Sequence, residues 1–189
     1  MRRFSLLLVL ATPLVASAQR SNTSAMPPAV AALDAKSAHY ADVAKQIWGF
    51  AELGYQEVKS SALLRRELAT AGFKVDSGVA GEPTAFIATY GSGKPVIAIV
   101  GEFDALPGLS QAVSPDKKPL IDGGPGHGCG HHLFGTASTA AAIAVKDWMI
   151  ANKVRGTLRF YGTPAEEGGS GKVYMVRDGL FDDVDAVVT

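Results

Sequence analysis

The residues best suited to chemistry lie in one glycine-rich stretch of this 189-residue chain, which reads GGPGHGCGHHLFG over positions 123–135. Cys129 is the only cysteine of the chain, and its histidine neighbours are His127, His131 and His132. Thiolate and imidazole groups suit a borderline-soft metal ion such as zinc better than magnesium or calcium. Closely spaced glycines let the backbone approach a ligand. The stretch therefore predicts a metal site, against the alternative of a tight loop with incidental histidines.

Two acidic segments directly follow apolar, β-rich runs. Asp104 lies in GEFDALPG, and the adjacent pair Glu166 and Glu167 lies in PAEEG. Chemistry in α/β folds concentrates at the ends of buried strands. If the sheet brings these segments beside the glycine-rich stretch, one carboxylate of the pair can bind a metal ion while the other acts as general base toward a water. Asp104 would then orient a histidine ligand, or in the alternative interpretation would only cap the following turn.

Hydrophobic periodicity predicts the elements that must position these groups. The predicted helices are Val30–Ala51, Val58–Ala71, Thr136–Met149 and Lys172–Arg177. The predicted strands are Thr84–Tyr90, Pro95–Val100, Thr157–Tyr161 and Val184–Val188, with a hairpin-like connection, Gly91–Lys94, between the first two. This order indicates an α/β fold, a three-layer sandwich with a mixed, mostly parallel central sheet. Glu52 and Glu57, after the first helix, are expected to be solvated.

Composition and charge narrow the class of protein. The chain is 47% hydrophobic and 19% charged, with a formal net charge of +0 at pH 7. These values are typical of a globular domain, and the chain is long enough for one sizeable core. Because no run of basic residues occurs, we expect no nucleic-acid partner. A single cysteine excludes an intramolecular disulfide.

The first 18 residues have the pattern of a secretory signal peptide. Arg2 and Arg3 precede an apolar run, and Ala16-Ser17-Ala18 supplies the small residues before a cleavage site at Gln19. The apolar run is short for a membrane span, and a retained N-terminal anchor is the alternative. Residues 19–28 then form a leader, and residues 29–189 the folded part. We expect an exported protein, periplasmic or secreted, with no membrane attachment after cleavage.

Three motifs in a fixed order resemble those of the metal-dependent aminoacylase and carboxypeptidase family. They are GEFDALPG at 101–108, HGCGH at 127–131 and PAEEG at 164–168. The resemblance covers essentially all of residues 29–189 and is strongest to the branch of amidohydrolases that act on N-acyl amino acids, hippurate and auxin conjugates. It implies a site for two divalent metal ions, zinc or manganese, in an α/β catalytic domain. A smaller lid domain would help to bind substrate and to dimerise.

The resemblance also implies a role for each matching residue. Cys129, His131 and Glu167 would be metal ligands, and Glu166 would be the general base that activates water. Asp104 would support the site. His132 stands where this branch usually has Asp or Asn, and it is either an extra ligand or a surface substitution. His127 matches the family pattern and is expected beside the ligands rather than among them.

The resemblance also bears on how much of such an enzyme these 189 residues contain. In similar proteins, a strand like Val184–Thr189 is followed by a Trp-His-Pro segment whose histidine binds metal, and then by the lid. The resemblance thus implies that residues 29–189 are the N-terminal part of the catalytic domain, without the lid and without all the ligands needed for full activity. The expected substrate is a small N-acyl amino acid such as p-aminobenzoyl-glutamate, and the expected partner is a second copy or a homologous A-type subunit.

Two other functions remain open from the sequence. The chain could be a truncated or non-catalytic binding remnant of the same fold. It could also be a cysteine hydrolase in which Cys129 is the nucleophile and a neighbouring histidine the base. The second alternative gives no role to Glu166 and Glu167.

Overall fold

The structure of the chain, a computed structural model, describes residues 28–189. The predicted signal peptide, residues 1–18, lies outside the described residues, as does the predicted leader apart from its last residue. That residue, Pro28, begins the first helix. Within residues 28–189, no helix combines the length and the apolar composition needed to cross a membrane.

Five α-helices occur in the described residues, and the first two replace one predicted helix. Their bounds are α1 Pro28–Asp34, α2 Ser37–Phe50, α3 Val58–Thr70, α4 His131–Ala151 and α5 Gly171–Arg177. The prediction of a single helix over Val30–Ala51 is wrong. At the end of α1 the Lys36 amide donates to the Leu33 carbonyl at 3.0 Å, three residues back. This tighter turn ends α1, although the apolar stripe continues past it.

Between residues 28 and 189, five strands form one mixed sheet in the order β1-β2-β4-β3-β5. Their bounds are β1 Lys74–Ser77, β2 Phe86–Ser92, β3 Val96–Glu102, β4 Gly156–Thr163 and β5 Ala186–Val188. Strand β3 is parallel to both β4 and β5, whereas β2 is antiparallel to β1 and to β4. The predicted α/β class with a mixed sheet is confirmed, and β2 is the strand of this sheet that runs against the others. Strand β1 was not predicted.

The predicted hairpin between β2 and β3 is wrong, because β4 lies between these two strands. Strand β4 pairs with β2 on one side and with β3 on the other. At its start, Thr157 donates its amide to the Pro95 carbonyl at 2.9 Å and its hydroxyl to the Gly93 carbonyl at 2.7 Å. The glycines of the short connection indicate a turn correctly, but they carry no information about a strand that arrives about sixty residues later.

Helices cover both faces of the sheet, which makes the three-layer sandwich. On one face, α2, α3 and α4 pack against side chains that include Phe86, Ile99 and Phe160. On the other face, Tyr161 lies against Met175 of α5. Phe160 and Tyr161 therefore point to opposite faces, as successive strand residues do. Each large apolar side chain removed from water in this way contributes roughly 1.5–3 kcal/mol.

This topology brings the candidate site residues to one edge of the sheet. Glu102, the last residue of β3, pairs with Thr163, the last residue of β4, so the segments that follow both strands start side by side. The glycine-rich stretch ends at the same edge, where α4 begins at His131. The helix thus begins five residues earlier than the predicted Thr136, and this places a candidate ligand in its first turn.

Candidate metal centre

His131 lies buried at the centre of the site, with carboxylates on both sides of its ring. Its Nδ1 lies 2.9 Å from Asp104 Oδ1, and its Nε2 lies 2.9 Å from Glu102 Oε2. The same Nε2 lies 3.8 Å from Glu166 Oε2 and 4.0 Å from Glu167 Oε1. Four carboxylates from the ends of two neighbouring strands therefore converge on one imidazole.

Two sets of three donors in this cluster could each hold a metal ion. Cys129, His131 and Glu167 form the first set, and Glu102, His131 and Glu166 form the second, with the donor atoms of each set within 4.8 Å of one another. A thiol, an imidazole and a carboxylate are the donor types that zinc accepts. The first set contains the three residues that the sequence predicts as ligands. The donors present therefore fit a divalent, borderline-soft ion.

The orientation of His131 favours metal binding through one particular nitrogen. Asp104 accepts a hydrogen bond from Nδ1, which leaves Nε2 facing the carboxylates of the cluster. A carboxylate that orients a ligating histidine in this way is a recurring feature of metal sites. Because only Nε2 is available, His131 can complete only one of the two donor sets at a time.

The electrostatics of the cluster reflect its excess of negative charge. Burial by itself lowers the pKa of His131, but hydrogen bonds to Asp104 and Glu102 outweigh it and raise that pKa to about 11. Burial raises the pKa of Asp104 and of Glu102, but His131 together with the Glu167 amide at Asp104, and with Lys172 at Glu102, outweighs this and leaves both pKa values below their ordinary range. Because Asp104 and Glu102 stay ionised at neutral pH, their negative charge favours a cation in this cluster.

Glu102 and Lys172 belong to the cluster although neither was assigned a role from the sequence. The Lys172 ammonium forms an ion pair with Glu102, on the carboxylate oxygen that does not face His131. One signal could have found Glu102. It stands two positions before Asp104, and residues two apart in extended chain point to the same side. Lys172 carries no such signal, because only the packing of α5 brings it near β3.

A second group of contacts fixes the loop that carries the paired glutamates. Asp104 Oδ2 accepts the backbone N–H of Glu167 at 2.9 Å, and Glu57 Oε1 accepts the backbone N–H of Ala165 at 2.8 Å. The Tyr55 hydroxyl donates to the Gly169 carbonyl at 2.6 Å. The expectation that Glu57 is solvated is therefore wrong. Its side chain is fully buried, because Thr84 and the distant Ala165 both donate hydrogen bonds to it.

His127 and His132 lie beside the site without joining it. Among residues 28–189, neither belongs to a set of three metal-capable donors. His127 Nε2 lies 3.1 Å from the Ile47 carbonyl oxygen, and burial lowers the pKa of this histidine to about 4. The ring of His132 is partly buried edge-on against Trp48, with the ring centres 4.8 Å apart. Both histidines therefore pack the glycine-rich stretch against α2, and His132 is partly buried and belongs to neither donor set.

The fold and the donor cluster define a class of protein, an α/β domain with a candidate metal site, and sequence comparison agrees with this class. Residues 98–189 match the model of peptidase family M20/M25/M40. The chain is therefore similar to this family over residues 98–189, which include α4, β4 and both donor sets.

Two curated relatives indicate which members of the family this chain is similar to. The chain is 53% identical over 159 residues to the B-type subunit of p-aminobenzoyl-glutamate hydrolase from Escherichia coli (strain K12), a match that covers 84% of this chain and 33% of the relative. It is 35% identical over 137 residues to IAA-amino acid hydrolase ILR1-like 5 of Arabidopsis thaliana, which covers 72% of this chain and 30% of the relative. The chain thus spans about a third of the length of these curated relatives.

A solved structure supports the same assignment. The YXEP protein of Bacillus subtilis, a dinuclear metal binding peptidase from the M20 family, superimposes with a TM-score of 0.65 at 27% sequence identity. The match covers 82% of this chain and 42% of that structure. The overall fold is therefore that of this family.

Proposed function

We propose that the protein containing this chain is a metal-dependent amidohydrolase that cleaves the amide bond of an N-acyl amino acid. The observation that carries the proposal is the first donor set, Cys129, His131 and Glu167, whose donor atoms lie within 4.8 Å of one another. Glu166 stands directly beside this set, with Oε2 3.8 Å from His131 Nε2. A metal site with a neighbouring carboxylate is the arrangement that metal-assisted amide hydrolysis requires.

Cys129, His131 and Glu167 would hold the first divalent ion, zinc or manganese. Cysteine and histidine donors favour zinc. A second ion would lie against the carboxylate of Glu102, because His131 can complete only one of the two donor sets and Glu166 serves as the general base. The structural relative from Bacillus subtilis is dinuclear, which supports two ions here.

When bound, the metal polarises the amide carbonyl and lowers the pKa of a water. Glu166 would take the proton of that water and pass it to the leaving amine, as a general base that becomes a general acid. Its side chain is 42% exposed, so it can reach both the cluster and solvent. Asp104 supports both partners, since it orients His131 and binds the Glu167 amide.

The names of the relatives support one class of substrate. They include a p-aminobenzoyl-glutamate hydrolase and an IAA-amino acid hydrolase, whose names denote amides of amino acids as substrates. We propose a small N-acyl amino acid as substrate, with p-aminobenzoyl-glutamate as the first compound to test because of the 53% identity.

Assembly and location are part of the proposal as well. Because the relative from Escherichia coli is a B-type subunit, we propose pairing with a homologous A-type subunit, with a second copy of this chain as the other possibility. The signal-like pattern of residues 1–18 supports export to the periplasm or the medium.

The alternative of a cysteine hydrolase fits the geometry less well. Both ring nitrogens of His131 face carboxylates, Asp104 on one side and Glu102 on the other. The neighbouring Glu167 carboxylate raises the pKa of the Cys129 thiol, whereas a nucleophilic cysteine needs a lowered pKa. A non-catalytic binding remnant would bind metal through the same donors and would differ only in lacking hydrolysis.

Hydrolysis of p-aminobenzoyl-glutamate by the purified protein tests the proposal. Activity should disappear with a strong chelator and return with zinc or manganese. Glu166→Gln should keep the metal but lower kcat by about 10²–10⁴-fold, the usual contribution of general acid–base catalysis. The control Glu67→Gln changes a glutamate on α3 that contacts His39, away from the cluster, and should be fully active. Activity that survives complete metal removal would rule out the proposed chemistry, and metal binding without hydrolysis of any N-acyl amino acid would indicate the binding remnant.

A further inference from the structure

Glu57 is a fully buried carboxylate for which the proposed chemistry has no use. It lies at the start of α3, and both of its oxygens are engaged. Oε1 accepts the backbone N–H of Ala165 at 2.8 Å, and Oε2 accepts the hydroxyl of Thr84 at 2.9 Å. Burying a carboxylate is unfavourable unless hydrogen bonds compensate it, so this placement serves the segment that Glu57 binds.

That segment contains a backbone conformation that needs support. Ala165 has φ +54°, in the left-handed region, although it is not glycine. This region is unfavourable for an L-residue, because its Cβ comes too close to the following carbonyl oxygen. Ala165 immediately precedes Glu166, and its turn sets the direction in which the chain leaves β4. The amide that Glu57 binds is the amide of this strained residue.

Two carboxylates therefore bracket Glu166 along the backbone. Glu57 holds the amide on its N-terminal side, at Ala165, and Asp104 holds the amide on its C-terminal side, at Glu167. The Glu166 side chain itself is partly exposed and lies 3.8 Å from His131 Nε2. Its position is therefore set mainly by its backbone, which these two hydrogen bonds fix.

We propose that Glu57 is a positioning residue for catalysis, which holds Ala165 in its left-handed turn and so directs Glu166 toward the water and the leaving amine. This inference rests on the proposed function, since it assumes that Glu166 is the general base. A displacement of about 1 Å at a catalytic group can lower a rate by about 10²-fold. Glu57 thus acts on kcat without touching the metal donors or the substrate.

Glu52 provides a matched control for a purely structural role. Its carboxylate also accepts backbone amides at the start of α3, from Lys59 at 2.9 Å and Ser60 at 2.8 Å. The hydrogen bonds of its side chain all go to this helix start, and the loop of residues 164–171 receives none of them within the described part of the chain. Glu52→Gln should therefore disturb the packing around α3 while leaving the Ala165 amide bound and Glu166 in place.

The test compares kcat, KM and metal content in Glu57→Ala, Glu57→Gln and Glu52→Gln of the active protein. Glu57→Ala should lose about 10²-fold in kcat, with KM and bound metal unchanged. Glu57→Gln keeps an acceptor oxygen for the Ala165 amide, so it should retain most of the wild-type kcat. This variant also provides the comparison with wild type if Glu57→Ala folds poorly. Adding Ala165→Gly to Glu57→Ala should restore at least part of the loss, because glycine adopts positive φ without strain. Glu52→Gln should keep the wild-type kcat.

Hydrogen exchange of the Ala165 amide gives a second readout that does not need activity. Protection of this amide should fall in Glu57→Ala and persist in Glu52→Gln. A wild-type kcat in Glu57→Ala, or an equal loss in Glu52→Gln, would overturn the positioning role while leaving the proposed function intact. A wild-type protein without metal-dependent hydrolysis would instead overturn the proposed function, and the positioning role with it.

Discussion

Asp104 binds His131 through one carboxylate oxygen, at 2.9 Å from Nδ1, while its other oxygen accepts the backbone N–H of Glu167 at 2.9 Å. A single side chain that follows β3 therefore joins the first residue of α4 to the loop that follows β4. The three sequence motifs meet at this one carboxylate. This contact explains why the candidate donors lie close together in space although they are far apart in sequence.

Replacing Asp104 by Asn should weaken metal binding. An asparagine side chain offers one acceptor oxygen, so either His131 Nδ1 or the Glu167 amide would face an NH₂ group. Loss of such an orienting contact typically lowers metal affinity by about 10–100-fold. A competition titration with a chromophoric chelator measures the effect, and Asp116→Asn on the exposed 109–122 segment is the control. Equal affinities for wild type and Asp104→Asn would show that Asp104 does not orient the ligand.

The close contact of β4 with β2 should make Gly162→Ala destabilising. A Cβ at Gly162 would lie 2.1 Å from the ring of Phe86, which is fully buried and cannot move freely. Overpacking of this kind costs about 1–3 kcal/mol in the free energy of unfolding. By contrast, a Cβ at Gly49 in α2 meets nothing within 4 Å, so Gly49→Ala should stabilise by up to about 1 kcal/mol. Urea denaturation measures both, and a neutral Gly162→Ala would contradict the packing described.

The attachment of β5 to β3 should weaken in acid because of Asp185. Its hydrogen bond from the Val96 amide, together with Lys94, holds the pKa of Asp185 below its ordinary value. A carboxylate with a depressed folded-state pKa contributes stability above its unfolded pKa of about 3.9 and loses that contribution as the pH falls through the folded value. The difference in urea midpoint between wild type and Asp185→Asn should be constant at neutral pH and shrink below about pH 4. A difference that persisted unchanged in acid would contradict this role.

Local sequence patterns were sufficient for the fold class and for most of the residues that gather at the sheet edge, although they missed Glu102 and Lys172. Apolar runs followed by acidic or glycine-rich segments predicted that Asp104, His131 and Glu167 would meet, and the structure brings them together. Their role as a metal site remains a prediction. The prediction that these residues meet succeeded because the carboxyl ends of parallel strands such as β3 and β4 lie at the same edge of a sheet.

The features that the sequence did not predict depend on partners far away in the chain. Strand β4 enters between β2 and β3 only after the α4 crossover, and nothing in the short connection between β2 and β3 records this. Glu57 has the sequence context of a solvated residue at a helix start, but Ala165 and Thr84 bury it. In both cases a long-range contact overrides a local signal.

The most direct test of the metal centre is a titration of the purified chain with cobalt(II) as a spectroscopic substitute for zinc. Cys129 is the only cysteine in the chain, so any thiolate-to-cobalt charge-transfer band must come from this residue. We expect such a band in the wild type and its loss in Cys129→Ser, with the fold unchanged by circular dichroism. A wild-type spectrum without this band, or one identical to that of Cys129→Ser, would contradict the assignment of Cys129, His131 and Glu167 as the metal donors.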